Sequence, residues 1–498
     1  MTPAWRDLKR SLFSRPTPSD SHAHCSRQLL GLNNKRPPRS VDLHHPCHLP
    51  SPFPPFPVIL AHLTHGRTYQ AVSRSHFSLP AIYHHVFCIH FCQGSSRSPG
   101  QLTATYKADT FPQKVNLGVG AYRDDDNKPW VLPVVKKATE ILLNDPALDH
   151  EYLPITGLPE YTSAAAKLIL GADSPAIAEG RVTISGTGAN HLGALFLSRF
   201  YEWTDNKPQV FVSDPTWINH FAIMRNVQID PLTYPYYDPK TIGLDFSGLL
   251  NSLKTAPVRS VFLLHACAHN PTGVDPTHQQ WEEIANVFLE KGHYVFFDSA
   301  YQGFASGDLD KDAWAVGSCA ASPFLRTGRN KEVFPCCSAS FAKNAGLYGE
   351  RVGALHVVSP TQEEANRVKS QLSVLQRSEI SNPPAHGARL IALILNDPTL
   401  FDEWKRDIKT MAHRIIAMRE ELYNILTNEL KTPGNWNHIT DQIGMFSFTG
   451  ISPEQSQQLI DKAHIYLTAN GRISMAGLNS HNLRYFAESL DKVVRGTL

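Results

Sequence analysis

The sequence predicts an α/β protein built on a mostly parallel sheet, and three observations carry that prediction. Between residues 131 and about 397, short apolar runs alternate with longer stretches of helical periodicity, the pattern of a sheet with helices on its faces. The apolar runs are continuous, as in Tyr294-Val-Phe-Phe297, which marks strands buried on both sides. And Val182-Thr-Ile-Ser185-Gly186-Thr187-Gly188 passes from strand through a Gly-rich turn into a helix starting at Ala189 and running to about Tyr201.

Along the chain, strands are expected near 182–185, 209–213, 260–264, 294–298, 334–338 and 352–357, with helical runs such as 276–291 and 361–373. A long amphipathic helix over about 400–430 leads into a smaller α/β domain. There Gly444-Met-Phe446-Ser-Phe448 reads as a strand, and 453–464 and 481–494 as helices. No internal repeat is evident.

At 498 residues the chain is long enough for more than one domain. Its net charge of +2 hides an asymmetry. Residues 1–100 hold 11 Lys/Arg against three acids and 11 of the 24 His, leaving 101–498 at net −6. That balance gives no basic face for nucleic acid in the later part. The eight cysteines have neither metal-ligand nor disulfide-framework spacing, so no metal is expected, and Cys336-Cys337 reads as two core thiols. The longest apolar stretch, 79–92, carries three His and is too short to span a membrane. Residues 1–100 are Pro, Ser and His rich and read as extended or disordered. At the start, Trp5, Leu8 and Leu12 share one helical face amid basic residues, the look of a mitochondrial targeting helix; Asp7 is out of character, and a fortuitous basic turn is the other reading.

The most informative segment is Ser340-Phe-Ala-Lys343-Asn-Ala-Gly346-Leu-Tyr348-Gly-Glu-Arg351-Val-Gly353. A lysine eight residues before an arginine, in a Gly-punctuated turn with a hydroxyl, suits pyridoxal phosphate. The amine can form a Schiff base with the aldehyde, while guanidinium and hydroxyl receive the phosphate. Lys343 would then be the general base, its pKa lowered by burial.

Partners for that lysine occur in order. Asp298 ends the strand 294–298 where the sheet opens into a crevice, placed to pair with a pyridinium nitrogen, and Tyr301 follows within reach of the ring oxygen. A strand-end Asp capping the next turn is the ordinary alternative. Asn270 opens Asn-Pro-Thr-Gly273, a turn in which Pro presets φ and Gly permits positive φ; alone it is only a loop signal. Ser185, Gly186 and Thr187 sit where backbone N–H groups and hydroxyls cradle a phosphate. Trp217 offers a face for stacking, with His220 and His265 as supports behind Asp298.

Together these pieces resemble the aspartate aminotransferase family, in the class I branch of the fold-type I pyridoxal phosphate enzymes. The resemblance runs from about Ala108 to the C-terminus. It includes Val115-Asn-Leu-Gly118-Val-Gly120-Ala-Tyr-Arg123, His150-Glu-Tyr152-Leu-Pro-Ile-Thr-Gly-Leu158 and Ser381-Asn-Pro-Pro-Ala-His-Gly387. It implies a seven-stranded large domain over 130–410 and a small domain formed by 101–129 with 411–498, after an N-terminal extension of 1–100. It implies a homodimer in which Tyr152 and Arg377 reach the neighbour's site, Tyr152 toward the phosphate and Arg377 toward the substrate side-chain carboxylate. Arg472, in Asn470-Gly471-Arg472-Ile-Ser-Met-Ala-Gly477, would clamp the α-carboxylate, with Gly120, Trp217 and Asn270 also bordering substrate. Two planar guanidinium forks at opposite ends of one pocket select dicarboxylates. The implied reaction is ping-pong exchange of the amino group between L-aspartate and 2-oxoglutarate. A broader aromatic and dicarboxylic aminotransferase, or a catalytically impaired protein of the same fold, are the alternatives. The segments at 381–387 and 474–477 look closer to a fungal-like mitochondrial type, with a cytoplasmic form as the other option.

Three departures stand out. Lys343 follows Asp298 by 45 residues, more than the family pattern allows, and 317–330 reads as a surface loop where helix and strand entry are expected. The strand feeding the phosphate turn looks shortened between Gly180 and Ser185. Unrelated sequence replaces the N-terminal arm that crosses the dimer.

Overall fold

The computed structural model describes residues 99–174, 177–321 and 336–498. The expectations for residues 1–98, including the Trp5–Leu8–Leu12 face and the 79–92 stretch, lie outside these, as do those for 322–330.

Seven strands form the main sheet: β1 (Ile177–Ile184), β2 (Val210–Asp214), β3 (Leu232–Pro235), β4 (Val261–His265), β5 (Tyr294–Ser299), β6 (Cys336–Ser340) and β7 (Val352–Ser359). Their spatial order is β1-β7-β6-β5-β4-β2-β3. Neighbours pair in parallel except β7, which runs antiparallel between β1 and β6. Every residue of β4 to β7 is buried, which is the physical meaning of the continuous apolar runs. One face of the sheet packs Leu192 and Leu195 of helix α1 (Ser185–Phe200) in a cluster with Val212, Leu263 and Phe296. The other packs Trp281, Ile284 and Phe288 of helix His278–Lys291 with Phe262, Leu264 and Phe297. The mostly parallel, seven-stranded α/β architecture is therefore present.

Two sequence expectations are corrected. Residues 317–321 are helical, the end of Trp314–Ala321. Gly317 and Ser318 look loop-like, but Ala315 and Val316 are buried in the sheet-face cluster and Trp314 stacks on His278 at 3.9 Å, so tertiary packing overrides the weak local signal. The strand before the phosphate turn is not shortened: β1 has eight residues and pairs with β7 throughout, from Ile184↔Val352 to Ile177↔Ser359.

The long helix Pro398–Asn424 starts where the Asp397 side chain accepts from the Thr399 and Leu400 amides, with Pro398 in the first turn. Leu400, Trp404, Ile408, Met411, Ile415, Met418 and Leu422 form its buried stripe. It continues through a π turn, Ile425–Glu429. Three two-stranded sheets accompany the main one among the described residues; one pairs Tyr237–Asp238 with Gly243–Leu244. Val115–Asn116 pairs in parallel with Ile465–Tyr466, and Phe446–Phe448 antiparallel with Arg472–Ser474. Buried Arg419 of the long helix donates to the carbonyls of Ile439, Gly444 and Phe446, which fixes the Phe446 strand against that helix.

Candidate active site

Parallel strands end on a common edge, and here that edge carries the chemistry. In register, His265 lies beside Asp298 and Asp298 beside Ser338, a row across the ends of β4, β5 and β6. A second group forms where β7 starts between β1 and β6. Gly353 is opposite both Thr183 and Ser340, and the Ser185 amide donates to the Arg351 carbonyl at 2.8 Å. Ser185 and Arg351 both hold positive φ, +62° and +53°. Glycine is required at this junction: a Cβ on Gly353 would lie 2.5 Å from the Ser185 carbonyl carbon and 2.8 Å from the Ala339 oxygen, and one on Gly186 would lie 2.9 Å from the Ser340 Cβ. Ser185 Oγ and Ser340 Oγ come within 3.4 Å. The start of α1, two hydroxyls and a guanidinium thus converge.

Between the two groups is a cavity of about 470 Å3. Lys343 Nζ lies over the Tyr301 ring, 4.6 Å from its centre, and the Asn270 amide donates to Tyr301 Oη at 3.5 Å. The Tyr301 ring lies 6.0 Å from that of Phe446, on which Arg472 stacks at 4.4 Å while donating through Nη2 to the Gly118 carbonyl at 3.0 Å. Trp217, half-buried, stands edge-on to His220 with ring centres 5.2 Å apart.

The electrostatics are polarised. Burial, the largest single influence, pushes the Asp298 carboxyl upward, but the His220 hydrogen bond together with the charges of His220, His265 and Lys343 outweighs it and holds it at about 2. Burial pulls Lys343 down to about 8, opposed by Asp298 and assisted by Arg351. Burial also raises the Tyr301 hydroxyl, Arg472 opposing, and lowers His265 to about 3. A stably ionised carboxylate and an amine that burial makes easier to deprotonate therefore line one cavity.

Of the residues expected from sequence, Lys343, Asp298, Tyr301, Asn270, Trp217 and His265 line this cavity together with Ser185, Gly186, Thr187, Ser340, Arg351, Gly120 and Arg472. His220 is wholly buried behind it, Nε2 3.0 Å from Asp298 Oδ2. Two are not brought in. Tyr152 is 80% exposed, and exposed Arg377 bonds, among the described residues, to Ser381 and Asn382 nearby. Sequence reading missed Tyr348, whose hydroxyl accepts from the Tyr122 amide at 2.8 Å and is pushed by burial to about 12. It also missed Asn190 and Ser338. Ser338 was reachable, since it lies two residues before Ser340 on one strand face. His220, His265 and Asp298 also offer three ligand atoms within 4.8 Å of one another; the His220–Asp298 hydrogen bond already engages two of these residues.

The residues fit a planar phosphate-bearing aldehyde such as pyridoxal phosphate. Among the described residues Asn270 Oδ1, both ring nitrogens of His265 and Arg472 Nε are buried with no hydrogen-bond partner, and such groups call for a polar ligand. The helix start with Ser185, Ser340 and Arg351 would seat its phosphate, Asp298 its ring nitrogen and Lys343 its aldehyde.

Comparison with known proteins agrees with this geometry. Residues 112–490 match the family model described as aminotransferase class I and II. The chain is 50% identical over 399 residues to a cytoplasmic aspartate aminotransferase of Schizosaccharomyces pombe, covering 79% of this chain and 95% of that protein. It is 51% identical over 400 residues to the cytoplasmic aspartate aminotransferase of Gallus gallus, with 79% and 95% covered. Its structure resembles that of the aspartate aminotransferase from Saccharomyces cerevisiae cytoplasm, with a TM-score of 0.75 at 46% identity over 81% of this chain and 97% of the other.

Proposed function

The chain belongs to the class I and II aminotransferases, and on that premise we propose that it is an aspartate aminotransferase. It moves the amino group from L-aspartate to 2-oxoglutarate, reversibly, giving oxaloacetate and L-glutamate. The observation that carries this reading is the pairing of an ionised carboxylate, Asp298, with an amine that burial makes easier to deprotonate, Lys343, in a cavity that Arg472 also lines.

Pyridoxal phosphate, when bound, supplies an aldehyde that takes up the amino group and a ring that accepts electrons from the α-carbon. Ser185, Gly186, Thr187, Ser340 and Arg351 hold its phosphate, aided by Tyr152 of the partner subunit. Asp298, anchored by His220, keeps a proton on the ring nitrogen. Asn270 and Tyr301 hold the ring oxygen and Trp217 covers the ring face. Lys343 Nζ takes the α-proton of the bound amino acid and returns it; with a value near 8, about a tenth of it is unprotonated at pH 7. Arg472 grips the α-carboxylate beside Gly120, its Nη2 tied to Gly118 so that the fork is fixed before substrate arrives. Arg377 of the partner subunit takes the side-chain carboxylate, which selects dicarboxylates over aromatic substrates. The exposed positions of Tyr152 and Arg377 support a homodimer with shared sites. The strand pairing Val115↔Ile465 supports a small domain of 101–129 with 411–498 beside a large one of 130–410. The curated relatives are named as cytoplasmic proteins, which favours that compartment; the basic N-terminal segment is what supports mitochondria, and imaging a fusion of residues 1–40 separates the two.

The test is steady-state kinetics of the cofactor-loaded protein. Parallel double-reciprocal lines for aspartate and 2-oxoglutarate are expected, with phenylalanine a poor donor. Borohydride treatment and peptide mapping should place the cofactor's mass on Lys343, and Lys343→Ala should remove turnover. Equal rates on phenylalanine, or the mass on another lysine, would overturn the reading.

A further inference from the structure

We infer that Ser338, backed by Asn190, is a positioning residue that fixes the Asp298 carboxylate through a two-step hydrogen-bond relay, an inference that rests on Asp298 being the partner of the cofactor ring nitrogen. Ser338 is wholly buried and is the register partner of Asp298. Its Oγ lies 3.1 Å from Asp298 Oδ1 and 3.0 Å from Asn190 Oδ1. A hydroxyl has one hydrogen and cannot donate to both acceptors at once. Meanwhile Asn190 Nδ2 is buried without a partner among the described residues. Exchanging the two ends of the amide, which share one outline, resolves the conflict: Asn190 Nδ2 donates to Ser338 Oγ, and Ser338 Oγ donates to Asp298 Oδ1.

The carboxylate is then gripped at both oxygens. His220 Nε2 holds Oδ2 at 3.0 Å, and is itself aligned by Thr216 Oγ1, 2.8 Å from its Nδ1. Ser338 holds Oδ1. A carboxylate held at one oxygen can still turn about its last bond, whereas two donors on different oxygens fix its plane. Each step of the relay polarises the next toward the anion. Both side chains are buried, Asn190 at the cavity wall and Ser338 behind it, where polar atoms are costly unless they are hydrogen-bonded. A purely structural filling of this layer would not need them.

The experiment uses the enzyme loaded with cofactor labelled with 15N at the ring nitrogen. Asp298→Ala should move the ring-nitrogen resonance from the protonated toward the unprotonated position. Ser338→Ala should move it part of the way, and raise the cofactor dissociation constant by roughly tenfold, the scale for losing a donor to a charged group. Asn190→Leu should move it less, in the same direction, and the double variant no further than Ser338→Ala alone. Ser338→Cys, of similar volume but a weaker donor, should fall between wild type and Ser338→Ala. A wild-type resonance position in Ser338→Ala, with Asp298→Ala displaced, overturns the relay. If Asp298→Ala leaves the resonance in place, the assignment of Asp298 falls and takes the relay with it. Should Ser338→Ala fail to fold, an unmoved resonance and unchanged cofactor retention in Asn190→Leu are enough to overturn it.

Discussion

Replacing Lys343 by methionine tests the electrostatics of this site without any turnover assay. The lysine is half-buried against the cavity, and burial brings its amine from 10.5 to about 8. The folded chain therefore binds this proton less tightly than the unfolded chain. Below pH 8 both states are protonated and the folded state carries the whole penalty. Between pH 8 and 10.5 the folded lysine is neutral while the unfolded one is still charged, so stability rises with pH. Above 10.5 the penalty has gone. The difference between 10.5 and about 8 is worth up to about 3 kcal/mol, less whatever the water in the cavity screens. Methionine has similar length and no charge. Cofactor-free Lys343→Met should thus be more stable than wild type by about 1–3 kcal/mol at pH 7, and the gap should close toward pH 10.5. Urea unfolding at one fixed protein concentration, with the denaturant slopes compared, measures this. A variant no more stable at pH 7, or a gap that does not shrink as pH rises, would refute the reasoning. The expected sign is that of a residue kept for chemistry against the interest of folding.

Two further substitutions separate specificity from scaffold. Arg377 is exposed and, among the described residues, bonds only locally, so Arg377→Ala should change folding stability by less than about 0.5 kcal/mol. It should lower kcat/KM for aspartate by about 2–5 kcal/mol while sparing apolar amino acids; an equal fall for both classes would remove Arg377 from the specificity account. Gly353→Ala would set a Cβ against the backbone of Ser185 and Ala339, atoms that cannot step aside. It should destabilise by roughly 1–3 kcal/mol and weaken cofactor retention, both measurable by equilibrium titration and thermal melts, and retention equal to wild type would show that the junction does not shape the phosphate seat.

Much of this was legible in the sequence because β4 and β5 are buried on both faces and so read as unbroken apolar runs. The motif residues sit immediately beyond those runs. β3 escaped notice for the opposite reason. It is the edge strand, Leu232-Thr-Tyr-Pro235, with only Tyr234 buried and a proline at its end. The row His265–Asp298–Ser338 needs strand register, which nothing local in the chain encodes. Asp298 and His265 were named from motifs without it; Ser338 could be reached only through its place on the strand face of Ser340, and its pairing with Asp298 appears only once register is known. Tyr152 and Arg377 were named from their motifs, yet nothing in one chain's sequence says that they stand outside that chain's own cavity.

The direction of the strands explains why the departures in spacing leave the site whole. The described chain resumes at Ile177 and at Cys336, the first residues of β1 and β6. Both strands run toward the cavity, β1 delivering Ser185 and β6 delivering Ser340. Cys336 is thus about 13 Å of extended strand from Ser340, and Ile177 about 23 Å from Ile184. In a parallel sheet the connections that enter the strands lie at the edge opposite the ligand crevice. Pairing of β1 to β7, and of β6 to β5 and β7, sets where the last residue of each falls. The cavity's geometry is therefore fixed by ladder register and by the glycine junction at 353.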